Sequence, residues 1–145
     1  MSNPDDYPRD AWVMAVRSGI QILEKQARKG LPITYTEFVD ELNRYIGRAR
    51  LEPHHPWTGW LLADISRTSY AENQVMLSVL VVSAAGNRPG KGFFSLAAEL
   101  YGQPITDKEA CWVDEMNRVL KQYSMVGIHC WIQKTSGLSF FFNDI

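Results

Sequence analysis

Cysteine is nearly absent: Cys111 and Cys130 are the only two in 145 residues. They form neither a Cys-x-x-Cys pair nor a spaced metal quartet, a pattern that suits a reducing compartment and leaves room for one disulfide at most. Long hydrophobic runs are missing too. The longest, Val75 to Val82, is interrupted by Ser78 and falls far short of the roughly 20 residues that cross a bilayer. The opening Met1-Ser-Asn-Pro-Asp-Asp-Tyr7 is acidic and polar, without the cationic and apolar blocks of a secretory signal. These absences predict a cytoplasmic, soluble protein with no membrane partner. Neither sign of charge dominates: 15 Lys and Arg stand against 16 Asp and Glu, for a net charge of −1 and a pI near 6.3. That balance excludes a protein that coats nucleic acid or anionic membrane by bulk charge. No internal repeat, low-complexity tract or long linker interrupts the chain.

What is present is a 46% apolar composition, enough for one domain spanning 1–145 to bury a core without staples. Charge is unevenly placed. Residues 44–91 carry six Lys or Arg against three Asp or Glu, whereas residues 1–43 carry five against seven and residues 92–145 four against six. The middle third is therefore the basic one.

Periodicity predicts five helices. Trp12, Val16, Ile20, Leu23 and Ala27 recur at spacings of three and four between Arg9 and Lys29, one face of a helix that Gly30 ends. Ile33-Thr-Tyr35 is short and β-prone. Thr34-Tyr-Thr-Glu37 has capping-box spacing and starts a second helix with Phe38, Leu42 and Ile46 on one side, stopped by Gly47. A polar connection with Pro53 and Pro56 follows. The third helix, from about Trp57, places Trp57, Trp60, Leu61 and Ile65 on one face and Asp64, Arg67, Thr68 and Glu72 on the polar side. Val75–Val82 is rich in β-branched residues and reads as a buried strand. Phe93, Phe94, Leu96, Ala97 and Leu100 read as a short helix closed by Gly102. Thr106-Asp-Lys-Glu109 repeats the capping-box spacing before a helix with Trp112, Met116, Val119, Leu120 and Tyr123 on its core face. Ile128–Lys134 and Leu138–Phe142, around Thr-Ser-Gly, predict a terminal hairpin.

The glycine-rich stretch Ser83-Ala-Ala-Gly-Asn-Arg-Pro-Gly-Lys-Gly-Phe-Phe94 invites a phosphate-binding reading, which its spacing excludes. Gly86 and Gly90 enclose three residues where a P-loop has four, and Gly92 stands where a magnesium-binding hydroxyl belongs. The third glycine of a dinucleotide fingerprint is missing as well. Two readings remain: a tight surface turn that Arg88 and Lys91 keep solvated, or a basic wing reaching a phosphate backbone beside a helix in a groove.

The order helix, short strand, helix, connection, helix, strand, glycine-rich loop is that of a winged helix. Ile33-Thr-Tyr-Thr-Glu37 resembles the strand-to-helix passage of the winged-helix domain in DNA alkyltransferases and their relatives, over residues 33–92. The resemblance implies that fold, and not alkyl transfer: the reactive Pro-Cys-His-Arg motif of those enzymes has no counterpart, Leu80-Val-Val-Ser83 standing in its place. Leu77–Val82, Pro89–Phe94, Leu96-Ala-Ala-Glu-Leu100 and the Trp112 helix resemble small bacterial and phage proteins of this size that are themselves uncharacterised, which implies a compact stand-alone domain and no particular activity.

Catalytic groups are scarce. Cys111 and Cys130 fall at packed positions, and His129 and Cys130, being neighbours on a strand, point to opposite faces. His54 and His55 lack a diagnostic ligand spacing and read as solvated or helix-initiating, so no metal or other cofactor is expected. Asp64 and Glu72, eight residues apart with Arg67 between them, suit ion pairing better than acid–base work. Trp12, Trp57, Trp60 and Trp112 fall at core spacings, while Trp131, Phe140, Phe141 and Phe142 gather aromatic density near the C-terminus that one strand cannot turn wholly inward.

The expected fold is α+β and mainly helical, with a winged-helix-like centre at 33–92 and a helix-plus-hairpin extension at 106–145. The expected function is non-enzymatic recognition of nucleic acid, with Arg44, Arg48, Arg50, Arg67, Arg88 and Lys91 on phosphates and the polar side of the third helix toward bases. Dimerisation through the C-terminal hairpin would double a modest charge. The rival reading is a bacterial or phage interaction or inhibitor module that binds a protein partner through Trp131 and Phe140–Phe142.

Overall fold

The computed structural model describes residues 6–47, 50–86 and 88–123. Helix α1, Arg9–Lys29, buries Trp12, Val16, Leu23 and Ala27 of the predicted stripe together with Ala15 and Ile22, while Ile20 is only partly buried against the core. It ends where Gly30 turns left-handed at φ 74° and returns its amide to the Ala27 carbonyl, a conformation that glycine adopts without Cβ strain. Strand β1, Ile33–Thr34, leads directly into α2, Tyr35–Ile46. The capping box forms as its spacing demands. Thr34 Oγ1 accepts from the Glu37 amide at 3.2 Å and Glu37 Oε1 accepts from the Thr34 amide at 3.2 Å; the Thr34 hydroxyl, donating to Oε1 at 2.9 Å, and that Thr34 amide hold the Glu37 carboxyl below its ordinary pKa. Phe38, Val39, Leu42 and Ile46 face the core.

The connection to the next helix is anchored by a buried amide. Asn43 donates Nδ2–H to the Leu51 carbonyl at 3.0 Å and accepts the Leu51 amide on Oδ1 at 2.9 Å. Helix α3, Pro56–Asn73, then starts on His55, whose Nδ1 accepts the Trp57 amide at 3.1 Å. Pro56 at the first helical position costs nothing, because its missing donor would have been an orphan there. α3 packs on α1, and in that seam Ile65 of α3 faces Gly19 of α1. A Cβ there would lie 2.5 Å from Ile65 Cδ1.

Val75–Val82 is buried throughout but is not the strand that its composition predicts. Leu77–Leu80 form a 3₁₀ turn and only Val81–Val82 a strand, β2. Side chains occupy the donors that a ladder would use: the Met76 amide bonds Glu115 Oε2 at 2.7 Å, the Leu77 amide Ser69 Oγ at 3.2 Å and the Ser78 amide Ser66 Oγ at 3.0 Å. Buried donors must be paired, and these are paired across elements.

Strand β2 lies parallel to β1, with Ile33 opposite Val81 and Thr34 opposite Val82. The glycine-rich loop then runs into α4, Lys91–Tyr101. A wing is the tip of an antiparallel hairpin, so the expectation of a wing is corrected: this loop connects a strand to a helix. Helix α5, Lys108–Tyr123, starts one residue later than the Thr106–Glu109 spacing predicts, with Asp107 Oδ1 accepting the Ala110 amide at 3.0 Å. Helix α1 is central, packing against α2, α3, the 3₁₀ turn and α5, while α4 packs on α3. The coarse expectation, mainly helical with a small sheet, stands. The terminal hairpin expected at 128–142 lies outside the described residues.

Candidate functional site

Of the six cations expected to hold phosphates, three of the described ones are engaged by carboxylates. Arg44 pairs with Glu41 at 3.3 Å, Arg67 with Asp64 at 3.4 Å and Glu99 at 3.5 Å, and Arg88 with Glu109 at 2.7 Å. Arg50 and Lys91 are exposed and form no ion pair among the described residues; Arg48 lies outside them. These side chains belong to α2, the 50–55 connection, α3, the loop and α4, and the described cations do not form one uninterrupted basic face.

The loop itself is fastened down. Its Ser83 amide bonds the Arg88 carbonyl at 2.9 Å, and the Gly86 amide bonds Ser83 Oγ at 3.2 Å. Beyond its pair with Glu109, the Arg88 guanidinium lies 5.9 Å over the Trp112 ring of α5. At the other end the Gly90 amide donates to the Tyr35 hydroxyl at 3.2 Å. A Cβ on Gly90 would come within 2.8 Å of that oxygen. The stretch is a turn tied to α2 and α5.

What this arrangement builds is a cleft of about 250 Å³ between α3, α4 and the loop, lined by Tyr35, Trp60, Leu62, Ala63, Phe93 and Leu96 with Gly59, Ser78, Pro89 and Gly92 completing the wall. Trp60, expected in the interior, is 53% exposed beside it. At about 100° per residue Trp60 lies roughly 140° from Ile65, so the helix that buries Leu61 and Ile65 turns Trp60 outward. Two hydroxyls stand in the otherwise apolar wall. Ser78 Oγ is 2.6 Å from Ser66 Oγ, and burial raises the Tyr35 hydroxyl above its ordinary pKa, keeping it a neutral hydrogen-bonding group.

The remaining candidates resolve into packing. Asp64, expected on the polar side of α3, is instead 4% exposed and accepts the Trp12 indole N–H at 2.9 Å, while its other oxygen makes the expected ion pair with Arg67. Cys111 is a half-buried free thiol whose pKa is pushed up by burial and by the neighbouring Glu115 carboxylate, the opposite of an activated nucleophile. His55 caps α3, and His54 lies 6.5 Å from the Tyr35 ring. Among the described residues no group of three His, Cys, Asp or Glu could hold a metal ion, and no helix is long and apolar enough to cross a membrane. Trp131, Phe140, Phe141, Phe142, His129 and Cys130 lie outside the described residues.

Two features escape the sequence reading. The cleft residues come from segments 35, 59–63, 78 and 89–96 and share no motif; the only local sign was the pair of glycines around Lys91. Glu115 is 1% exposed, accepting from the Met76 amide, the Tyr101 hydroxyl and Arg118. Its place beside Met116 and between Trp112 and Val119, on the core phase of α5, is the one local sign of a buried carboxylate there. Comparison with known proteins brings up no match: no family model fits the chain, and no curated protein or solved structure matches it.

Proposed function

We propose that the protein is a non-enzymatic recognition module that binds a protein partner at the cleft beside Trp60. The observation that carries this reading is a tryptophan 53% exposed at the edge of an open apolar cleft. Exposed indoles are costly to leave in water and are enriched among the few residues that dominate binding energy at interfaces. The cleft's size supports a side chain as the occupant, since small-molecule sites run to about 300–1,000 Å³.

The nucleic-acid reading has a weaker base. Affinity for phosphates comes from cations that release counterions, and Arg44, Arg67 and Arg88 already face carboxylates. One observation keeps it as the second reading: Lys91 precedes the cleft residue Gly92, and Trp60 offers a face on which an unpaired base could stack. The element order up to β2 also follows a winged helix, which supports kinship with that fold without supplying its wing.

The test is selection of peptides from a random library on the immobilised full-length chain, with Trp60→Ala as the counter-target. Trp60 is half exposed, so the variant keeps its fold, checked by circular dichroism. Enrichment on the wild type alone supports the proposal. No such enrichment, together with DNA binding in fluorescence anisotropy that weakens between about 50 and 200 mM salt and with Lys91→Ala, would replace it by the nucleic-acid reading.

A further inference from the structure

Building on that reading, we infer that the cleft selects an acidic segment of its partner: a large apolar or aromatic side chain seated beside Trp60, with a neighbouring carboxylate placed against Lys91. All ten residues of the cleft wall are uncharged, so the wall accepts an apolar group and leaves the choice of charge to the mouth. One cation adjoins the wall in the chain. Lys91 is exposed between Gly90, held by the cleft residue Tyr35, and Gly92, itself in the wall, and it forms no ion pair among the described residues.

Three carboxylates of α2, α4 and α5 already have partners. Glu37 closes the capping box with Thr34, Glu99 faces Arg67, and Glu109 holds Arg88. The first turn of α4 carries no acidic residue and Gly90 offers no side-chain acceptor to it, so its backbone dipole adds to the same sign. An apolar anchor alone would fill the wall and leave Lys91 solvated. A flanking carboxylate adds a rim ion pair that steers association and rejects basic competitors.

Three fluorescein-labelled octapeptides decide this, each with one central Phe and flanks of Asp and Glu, of Ser and Gly, or of Lys, titrated by anisotropy against the full-length protein at about 50 mM salt. The expected order is acidic, neutral, basic, with about a tenfold span, since exposed pairs contribute several-fold each. Lys91→Glu is expected to weaken the acidic peptide and strengthen the basic one, and it keeps its fold because an acid suits the start of a helix. Trp60→Ala is expected to lose all three. Equal binding of the three peptides, still lost with Trp60→Ala, overturns the acidic preference and leaves the protein-recognition reading intact. Absence of binding, or binding indifferent to Trp60→Ala, overturns both. A single-stranded oligothymidine that outcompetes the acidic peptide reassigns Lys91 to nucleic acid and also overturns the inference.

Discussion

Gly19 is the residue on which the packing of α1 against α3 turns. Replacing it with Ala would raise intrinsic helix propensity by about 1 kcal/mol, yet the added Cβ falls 2.5 Å from Ile65 Cδ1 in a filled core. Overpacking of this kind costs about 1–3 kcal/mol, so the clash wins and Gly19→Ala is expected to destabilise by roughly 1 kcal/mol in urea unfolding. Ile65→Val removes the offending methyl. The double variant Gly19→Ala/Ile65→Val is accordingly expected to be more stable than Gly19→Ala alone, and a double variant that is less stable would refute the contact. In sequence this glycine is a blemish in a helical pattern. Only the position of Ile65, 46 residues further on, explains it.

At the scale of elements, Glu115 joins α5 to the segment before the 3₁₀ turn and to the end of α4 through the Met76 amide and the Tyr101 hydroxyl. Its two oxygens have separate duties. Glu115→Gln keeps one acceptor and turns the other into a donor, so that either the buried Met76 amide faces an N–H or Tyr101 must accept and Arg118 loses its carboxylate. The expected loss is about 1–3 kcal/mol, with faster amide exchange at Met76 as its local signature; unchanged exchange there would show that the carboxylate does not hold the turn. The same bond explains why Val75–Val82 was misread. β-Branched composition reports that a segment suits a buried extended chain, but whether its donors meet a strand or a serine and a glutamate depends on α3 and α5. Helices α1 and α2 were legible nearly to their ends, because period and caps are local, whereas in α3 Trp60 and Asp64 fell on the faces opposite to those expected. The strand-like run was legible only as buried.

Across the whole molecule, α1 is enclosed by four other elements and its stripe of Trp12, Val16 and Leu23 is at most 1% exposed. Hydrogen exchange is expected to be slowest in the middle of α1 and fast in the largely exposed connection between α4 and α5, residues 104–107. Protection greater in α4 than in α1 would contradict this placement of the core. The sequence by itself determined the helical α+β class, the helix boundaries near Gly30 and Gly47, the cap at Thr34 and the apolar content of a single core, because these follow from nearest neighbours and a period of 3.6. The tertiary structure alone decided that β1 and β2 run parallel, that Arg67 meets Glu99 and Arg88 meets Glu109, and that Trp60 edges a cleft. Each of these joins residues that are far apart in the chain, and no local propensity records which distant side chain will satisfy a charge, a donor or an apolar face.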